Sequence, residues 1–277
     1  MGLKIVVSIG LPRSGTTWAF NTTQSILKDQ GFSYLSLFTN QEEISESIPL
    51  INENSYDFLL IKTHKIRVLK TISSFLPGLI IPNVIISVRD PLQTALSQMR
   101  VSRQNPTKTN YSRISKKMQN MFNYNRRLDN TLSQVSSLVL VKESEIESPN
   151  QCNNKIQQIS DLLFGKGLPD MNVDSIRNMN SLEQVKNFID ENFDSEEKLS
   201  FEKYDKTTHY HANHIKTKDY SINRESIDQE SLASAEKAND DFISKYENTF
   251  CRYQPTEVTA STAIEILKAL KITILPK

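Results

Sequence analysis

The sequence is poor in the features that mark membrane, secreted and nucleic-acid-binding proteins. It contains no run of eighteen apolar residues, so we expect no membrane-spanning helix. We expect no signal peptide, and the two cysteines, Cys152 and Cys251, are too few for a disulfide framework. These absences predict a cytoplasmic protein. The 33 basic and 32 acidic residues nearly cancel, which argues against a general nucleic-acid or membrane-surface binder.

Histidine and glycine are scarce as well, so each occurrence can be weighed on its own. The four histidines are His64, His209, His211 and His214, and none of the seven glycines lies beyond Gly167. The apolar fraction of 38% is ordinary, and 277 residues are enough to bury a core.

Basic side chains are concentrated in one stretch, although the net charge is only +1. Between Arg100 and Arg127 the sequence has eight lysines or arginines and no acid. We interpret this stretch first as the solvated face of a helix, because charged side chains favour contact with water. The alternative is a positive wall beside a site that takes an anionic acceptor, such as a glycan.

Four short apolar runs predict strands that are buried on both faces of a sheet. They are Lys4–Ile9, Tyr56–Thr63, Asn83–Val88 and Leu138–Lys142, with Phe32–Phe38 as a weaker candidate. Helical patterns lie between them, over residues 16–29, 65–75, 91–103 and 111–133. Unbroken apolar strands that alternate with helices are typical of parallel sheets. The sequence therefore predicts a three-layer α/β domain with a central, mainly parallel sheet.

The second half of the chain is richer in helix. Its patterns predict helices over 152–164, 182–193 and 229–246, with a polar, loop-like segment at 201–224. We predict one α/β domain over residues 1–255. Residues 256–277 form a C-terminal tail with an amphipathic helix, whose apolar residues are Ala263, Ile266, Leu267 and Leu270.

A glycine-containing loop follows the first predicted strand directly. Gly10 and Gly15 have the spacing of the phosphate loop GxxxxGK[ST]. Glycines let the backbone wrap a phosphate, and the next helix offers free N–H groups. Thr16 stands where the lysine that reaches the terminal phosphates of ATP would be, and Arg13 lies earlier in the loop. The loop is thus predicted to bind a phosphate, but it is poorly equipped for a magnesium triphosphate.

Charged and polar side chains also follow two other predicted strands. Lys62 and His64 end the strand at 56–63, and Arg89 follows the strand at 83–88, with Ser97 on the next helix. A neutral histidine can accept a proton at pH 7, and an arginine can bind a phosphate with two N–H groups. Since ligands bind outside the carboxyl ends of parallel strands, we expect these side chains to lie near the Gly10 loop.

These segments resemble the sulfotransferases that depend on 3′-phosphoadenosine 5′-phosphosulfate (PAPS). The family's 5′-phosphate loop, PRSGTTW or PKSGTTW, corresponds to Pro12–Trp18. Many members have the Lys-Thr-His segment found at 62–64, and an arginine eight positions before a serine, as in Arg89 and Ser97. The stretch 138–163 is similar to their strand, acidic turn and helix, although Lys142 replaces the usual aromatic residue. The resemblance covers roughly residues 1–165.

The resemblance implies a donor, a product and residue roles. PAPS would be the sulfuryl donor, adenosine 3′,5′-bisphosphate (PAP) the product, and no metal would be required. His64 would take the acceptor's proton, while Arg13 and Lys62 would stabilise charge around the transferred group. Arg89 and Ser97 would bind the 3′-phosphate. The 5′-phosphate side would be held by Arg13, Ser14, Gly15, Thr16, Thr17 and Trp18. The acceptor would be a small molecule or a glycan with a hydroxyl or an amine.

One departure from the family pattern concerns the end of the chain. Cytosolic eukaryotic members close the nucleotide site with a late, glycine-bearing basic loop, and this chain has no late glycine. The segment Thr207–Lys218, with three histidines, is the candidate replacement.

Three other functions stay open on the sequence. A phosphate-loop kinase or NTPase would explain the loop, with Asp90 as its magnesium ligand, although Thr16 replaces the lysine. A metal-dependent hydrolase would use the HxHxxH spacing of His209, His211 and His214. A protein that binds a nucleotide without catalysis is the third.

Overall fold

A parallel sheet of five strands forms the centre of the chain. The computed structural model describes residues 2–76, 83–101, 111–132, 135, 137–166, 171–194, 204–211, 227–247 and 257–274. The parallel strands are β1 (Leu3–Gly10), β2 (Tyr34–Phe38), β3 (Phe58–Thr63), β4 (Asn83–Val88) and β5 (Leu138–Lys142). Their order is β2-β3-β1-β4-β5. The predicted central, mainly parallel sheet is therefore confirmed.

The strand order brings the functional ends together. Strand β1 lies between β3 and β4, with Ile9 opposite Thr63 and Gly10 opposite Ser87. A short sixth strand, β6 (Glu257–Val258), runs antiparallel beside the start of β1. Because the five main strands are parallel, the segments after β1, β3, β4 and β5 all leave from the same edge of the sheet.

Three helices cover one face of the sheet. They are α1 (Thr16–Asp29), α7 (Pro149–Phe164) and α8 (Val173–Met179). Their apolar side chains pack with the strand residues that point to this face, including Val6, Leu60 and Ile85. Each such buried side chain contributes about 1.5–3 kcal/mol to folding, so this layer fixes α1 and the loop before it.

The opposite face is covered by α2 (Gln41–Glu53), α3 (Arg67–Ser73), α5 (Tyr111–Leu132), α10 (Gln229–Tyr246) and α11 (Ala260–Ile274). Helix α4 (Pro91–Val101) packs on α5 and α10 through a separate apolar cluster that includes Met99, Met118 and Leu232. Helices on both faces make the three layers that the sequence predicts.

The C-terminal helix α11 is part of the main core. Its residues Ala263, Ile266, Leu267 and Leu270 are fully buried against α2, α3 and the sheet. The predicted division of the chain at residues 255 and 256 stays a prediction.

Several elements differ from the sequence prediction. The strands agree within two residues at each end, but α2, α8, β6 and the short α6 (Glu143–Glu147) were not expected. Helix α2 is polar and contains Pro49, which breaks the usual helical signal. The described parts of the other helices, including α9 (Leu182–Asn192), follow the predicted ranges closely. Across the described ranges, every helix is too short or too polar to cross a membrane.

Candidate active site

The loop from Gly10 to Gly15 is shaped by close contacts and unusual backbone angles. A Cβ atom on Gly10 would lie 2.5 Å from the carbonyl oxygen of Ser87, so only glycine fits between β1 and β4. Gly15 caps α1 with φ of 93°, and Arg13 adopts φ of 75°. The Ser14 hydroxyl donates to the Leu11 carbonyl at 2.7 Å and closes the turn. The loop thus leads into the free N–H groups at the start of α1.

A lysine from the neighbouring strand reaches the loop whose own lysine is absent. Lys62, on β3, is 3% exposed, and its Nζ donates to the Thr17 hydroxyl at 2.8 Å. The ammonium also lies 5.4 Å from the centre of the Phe38 ring. Burial, and secondarily the charge of Arg13, lower the pKa of Lys62 to about 7. The start of α1 therefore keeps an ammonium group, supplied from β3 instead of from position 16.

His64 lies beside the same loop and is held in one tautomer. Its Nδ1 is 2.7 Å from the carbonyl oxygen of Gly10. A carbonyl can only accept, so Nδ1 carries the hydrogen and Nε2 keeps its lone pair in the neutral ring. Burial, with a further contribution from the charge of Lys62, lowers the pKa of His64 to about 4. The ring is therefore neutral at pH 7 and can accept a proton at Nε2.

The two arginines and Ser97 form a linked set on the other side of the loop. Arg13 donates from Nε to the Ser97 hydroxyl at 3.0 Å. Arg89 donates from Nη1 to the Arg13 carbonyl at 3.4 Å and forms an ion pair with Glu143 at 2.9 Å. Gln98 donates to the Pro12 carbonyl at 3.1 Å. Helix α4 and the residue after β4 thus form hydrogen bonds to the loop on one side, while the end of β3 contacts it and the start of α1 on the other.

A third group of residues, which the sequence did not reveal, borders Lys62 and His64. Buried Glu43, on α2, accepts hydrogen bonds from the backbone N–H of Phe38 and the Tyr204 hydroxyl, and lies 3.3 Å from Nε2 of His209. Burial raises the pKa of Glu43, but the nearby His209 ring and the hydrogen bonds from Tyr204 and Phe38 outweigh it, so the pKa is lowered. Segment 204–211 is thereby fastened to α2 by a carboxylate.

The late histidines have structural contacts in the described part of the chain. His209 is 1% exposed and stacks on Phe20 of α1, with ring centres 4.7 Å apart. Burial lowers its pKa, and the ring is neutral at pH 7. His211 packs near Tyr204, and His214 lies outside the described residues. Among the described residues, no group of three or more His, Cys, Asp or Glu side chains is placed to hold a metal ion.

The structure brings most of the predicted site residues together. Arg13, Lys62, His64, Arg89 and Ser97 all lie within the hydrogen-bond network around the loop. Ser14 and Thr16 are buried beneath it, with their hydroxyls 3.3 Å apart. Trp18 is partly buried and packs with the core under α1. The predicted nucleotide contact of Trp18 stays a prediction.

The comparisons with known proteins find similar solved structures only. No protein-family profile and no curated protein matches the chain. A retinol dehydratase with androsterone and the inactive cofactor PAP is 17% identical, with a TM-score of 0.48, over 90% of this chain and 82% of that one.

Two further structures are similar to a comparable degree. Mouse sulfotransferase SULT7A1 with PAP is 12% identical, with a TM-score of 0.45, over 96% of this chain and 88% of that one. A retinol dehydratase with retinol and PAP is 16% identical, with a TM-score of 0.44, over 92% and 84%. All three of these structures contain bound PAP.

Proposed function

We propose that the chain is a PAPS-dependent sulfotransferase that moves a sulfuryl group to a hydroxyl or amine acceptor. The observation that supports this most strongly is the arrangement at one sheet edge. A glycine loop that could cradle a phosphate leads into α1, the buried ammonium of Lys62 donates to Thr17 at the start of that helix, and the neutral ring of His64 contacts Gly10 of the loop. This set offers an anion site, a cation and a base.

The residues fit a nucleotide that carries a phosphate at each end. The loop and the start of α1 offer backbone N–H groups, with Lys62 and Arg13 as cations for the 5′ side. Arg89 and Ser97 are connected to the loop through Arg13 and would take the 3′-phosphate. Thr16 and Ser14 are buried and bonded to each other, so they support the loop from beneath.

The chemistry assigned to the side chains is proton transfer and charge stabilisation. PAPS would supply the activated sulfuryl group. The acceptor oxygen or nitrogen forms the new bond to sulfur as the bond between sulfur and the 5′-phosphate oxygen breaks, which leaves PAP. Nε2 of His64 takes the acceptor's proton, since Nδ1 already donates to Gly10. Lys62 and Arg13 stabilise the charge that develops on the departing phosphate oxygen.

The kinase alternative is less well supported by the same geometry. Asp90, the candidate magnesium ligand, is exposed, and its Oδ1 accepts a hydrogen bond from the backbone N–H of Gln93 at the start of α4. This is the geometry of a helix cap. The lysine near the loop is Lys62 of β3, whereas a kinase loop carries its lysine at the position of Thr16. The Thr16 hydroxyl lies next to that of Ser14. The metal-hydrolase alternative would need His209, which is stacked on Phe20 and faces Glu43.

The acceptor is proposed only as a class. The side of the site formed by Phe38, Tyr204 and His211 is aromatic, and a small organic molecule or a sugar would pack against such rings. Of the basic stretch, the described part includes Lys117, which approaches the Gln98 side chain at 3.5 Å. An anionic acceptor and a cytoplasmic location stay part of the proposal.

The proposal is tested by following the formation of PAP from PAPS in EDTA, with mixtures of phenols, sugars and amines as acceptors. We expect transfer by the wild-type chain and a loss of roughly 10²–10⁴-fold in His64→Ala, since a general base contributes about that much. PAP should still bind to this variant. Arg127→Ala, at an exposed position of α5, is the matched control and should transfer at the wild-type rate. Absence of both transfer and PAP binding in the wild type would refute the proposal.

A further inference from the structure

The sheet register places an acidic side chain against Arg89. Strands β4 and β5 pair in parallel with Val88 opposite Lys142, so the next residues of the two strands, Arg89 and Glu143, leave the sheet side by side. Nε of Arg89 lies 2.9 Å from Oε2 of Glu143. The Arg89 side chain is 13% exposed and that of Glu143 is 33% exposed. The pair is thus fixed by the backbone and partly shielded from water.

The same arginine also contacts the phosphate loop. Its Nη1 donates to the carbonyl oxygen of Arg13, the loop residue with φ of 75°. One guanidinium therefore joins the loop to the start of α6. A phosphate that approaches this guanidinium comes close to the carboxylate of Glu143, and two anions near one cation repel each other. The phosphate must share or displace the ion pair.

We propose that Glu143 competes with the 3′-phosphate of the donor nucleotide for Arg89 and so lowers the affinity of the chain for nucleotides that carry this phosphate. This inference rests on the proposed function. Glu143 acts through Arg89 and is a residue that sets specificity and affinity. The competition favours release of PAP after transfer, because the carboxylate takes the place of the leaving phosphate at the guanidinium.

The inference predicts a difference between two nucleotides. In Glu143→Gln, the competing charge is gone while the side chain keeps its size. The dissociation constant for PAP should fall roughly three- to five-fold, the upper part of the range expected for loss of a partly exposed ion pair. Adenosine 5′-monophosphate lacks the 3′-phosphate, so its dissociation constant should change less than about two-fold. Without nucleotide, the variant should unfold at a slightly lower temperature, because Arg89 loses a partner.

Calorimetric titration of the full chain in EDTA with both nucleotides measures these effects. Glu147→Gln, at an exposed position of the same helix, removes the same charge away from Arg89 and should leave both affinities unchanged. Glu143→Asp keeps the carboxylate and should bind PAP as the wild type does, within about two-fold.

The outcomes separate the inference from the function on which it rests. Tighter binding of PAP alone by Glu143→Gln supports the competition. Weaker or unchanged PAP binding, or an equal change for both nucleotides, overturns it while the proposed function stands. If the wild-type chain binds neither nucleotide, the proposed function is refuted and the inference is overturned with it.

Discussion

His64→Asn is the most informative single substitution, because the asparagine amide can keep the donor that His64 presents to Gly10. Nδ1 of His64 lies 2.7 Å from that carbonyl, and an Asn Nδ2 atom can occupy nearly the same place. The lone pair assigned to proton transfer is lost. We expect sulfuryl transfer to fall roughly 10²–10⁴-fold, with PAP affinity within about three-fold of wild type.

The same variant should change how stability depends on pH. The pKa of His64 is about 4 in the folded chain against 6.5 for the free side chain. Because folding lowers this pKa, the contribution of His64 to stability is fully present above pH 6.5, the pKa in the unfolded chain. It is lost as the pH falls toward 4, since the unfolded chain then binds a proton that the folded chain does not. The difference of 2.5 pKa units corresponds to about 3 kcal/mol. Other titrating groups are shared by both proteins, so the difference between them isolates His64.

The assay is urea unfolding of both proteins at pH 7 and pH 4. Between these pH values the wild type should lose about 2–3 kcal/mol more stability than His64→Asn. An equal loss in the two proteins would refute the lowered pKa that burial gives to His64. Equal losses of transfer and PAP binding would refute its role as the base.

Further predictions concern the donor site, the loop and the core. Arg89→Ala should weaken PAP binding at least about ten-fold and adenosine 5′-monophosphate binding much less, by calorimetry; equal changes would contradict its 3′-phosphate role. The transfer rate should decline above pH 7, as Lys62 loses its proton, and a flat profile to pH 9 would contradict this. Gly10→Ala should destabilise the fold by about 1–3 kcal/mol in urea unfolding, since its Cβ would meet Ser87. Leu270→Ala should cost about 2–5 kcal/mol, whereas a surface helix would lose almost nothing.

The strands were predictable because their signals are local. Each apolar run is short, rich in branched aliphatic residues and buried on both faces, and its length and composition separate it from a helix. Helix α2 was missed because Pro49 interrupts the helical pattern of the sequence, although the helix itself continues through it, and because its apolar face is narrow. Asn40 and Glu43, three residues apart, are the capping pattern that could have revealed its start, and the Asn40 side chain does accept from Glu43 N–H.

The site likewise has residues that local motifs predict and contacts between residues far apart in sequence that they do not. Arg13, Lys62, His64, Arg89 and Ser97 lie in short motifs at or after the ends of three strands, and the parallel sheet brings these strand ends together. The contacts of Glu43 could not be predicted, because Tyr204 and His209 lie more than 160 residues away in sequence. The ion pair of Arg89 with Glu143 likewise depends on the register of β4 and β5.

Thermal unfolding in EDTA with PAP, compared with ATP, tests the central claim most directly. A ligand at a hundred times its dissociation constant adds about 2.7 kcal/mol to the stability of the folded state. A metal-free 3′-phosphate site predicts a clear upward shift with PAP and little or none with ATP. A shift with ATP that appears only when magnesium is restored, or no shift with either nucleotide, would contradict the claim.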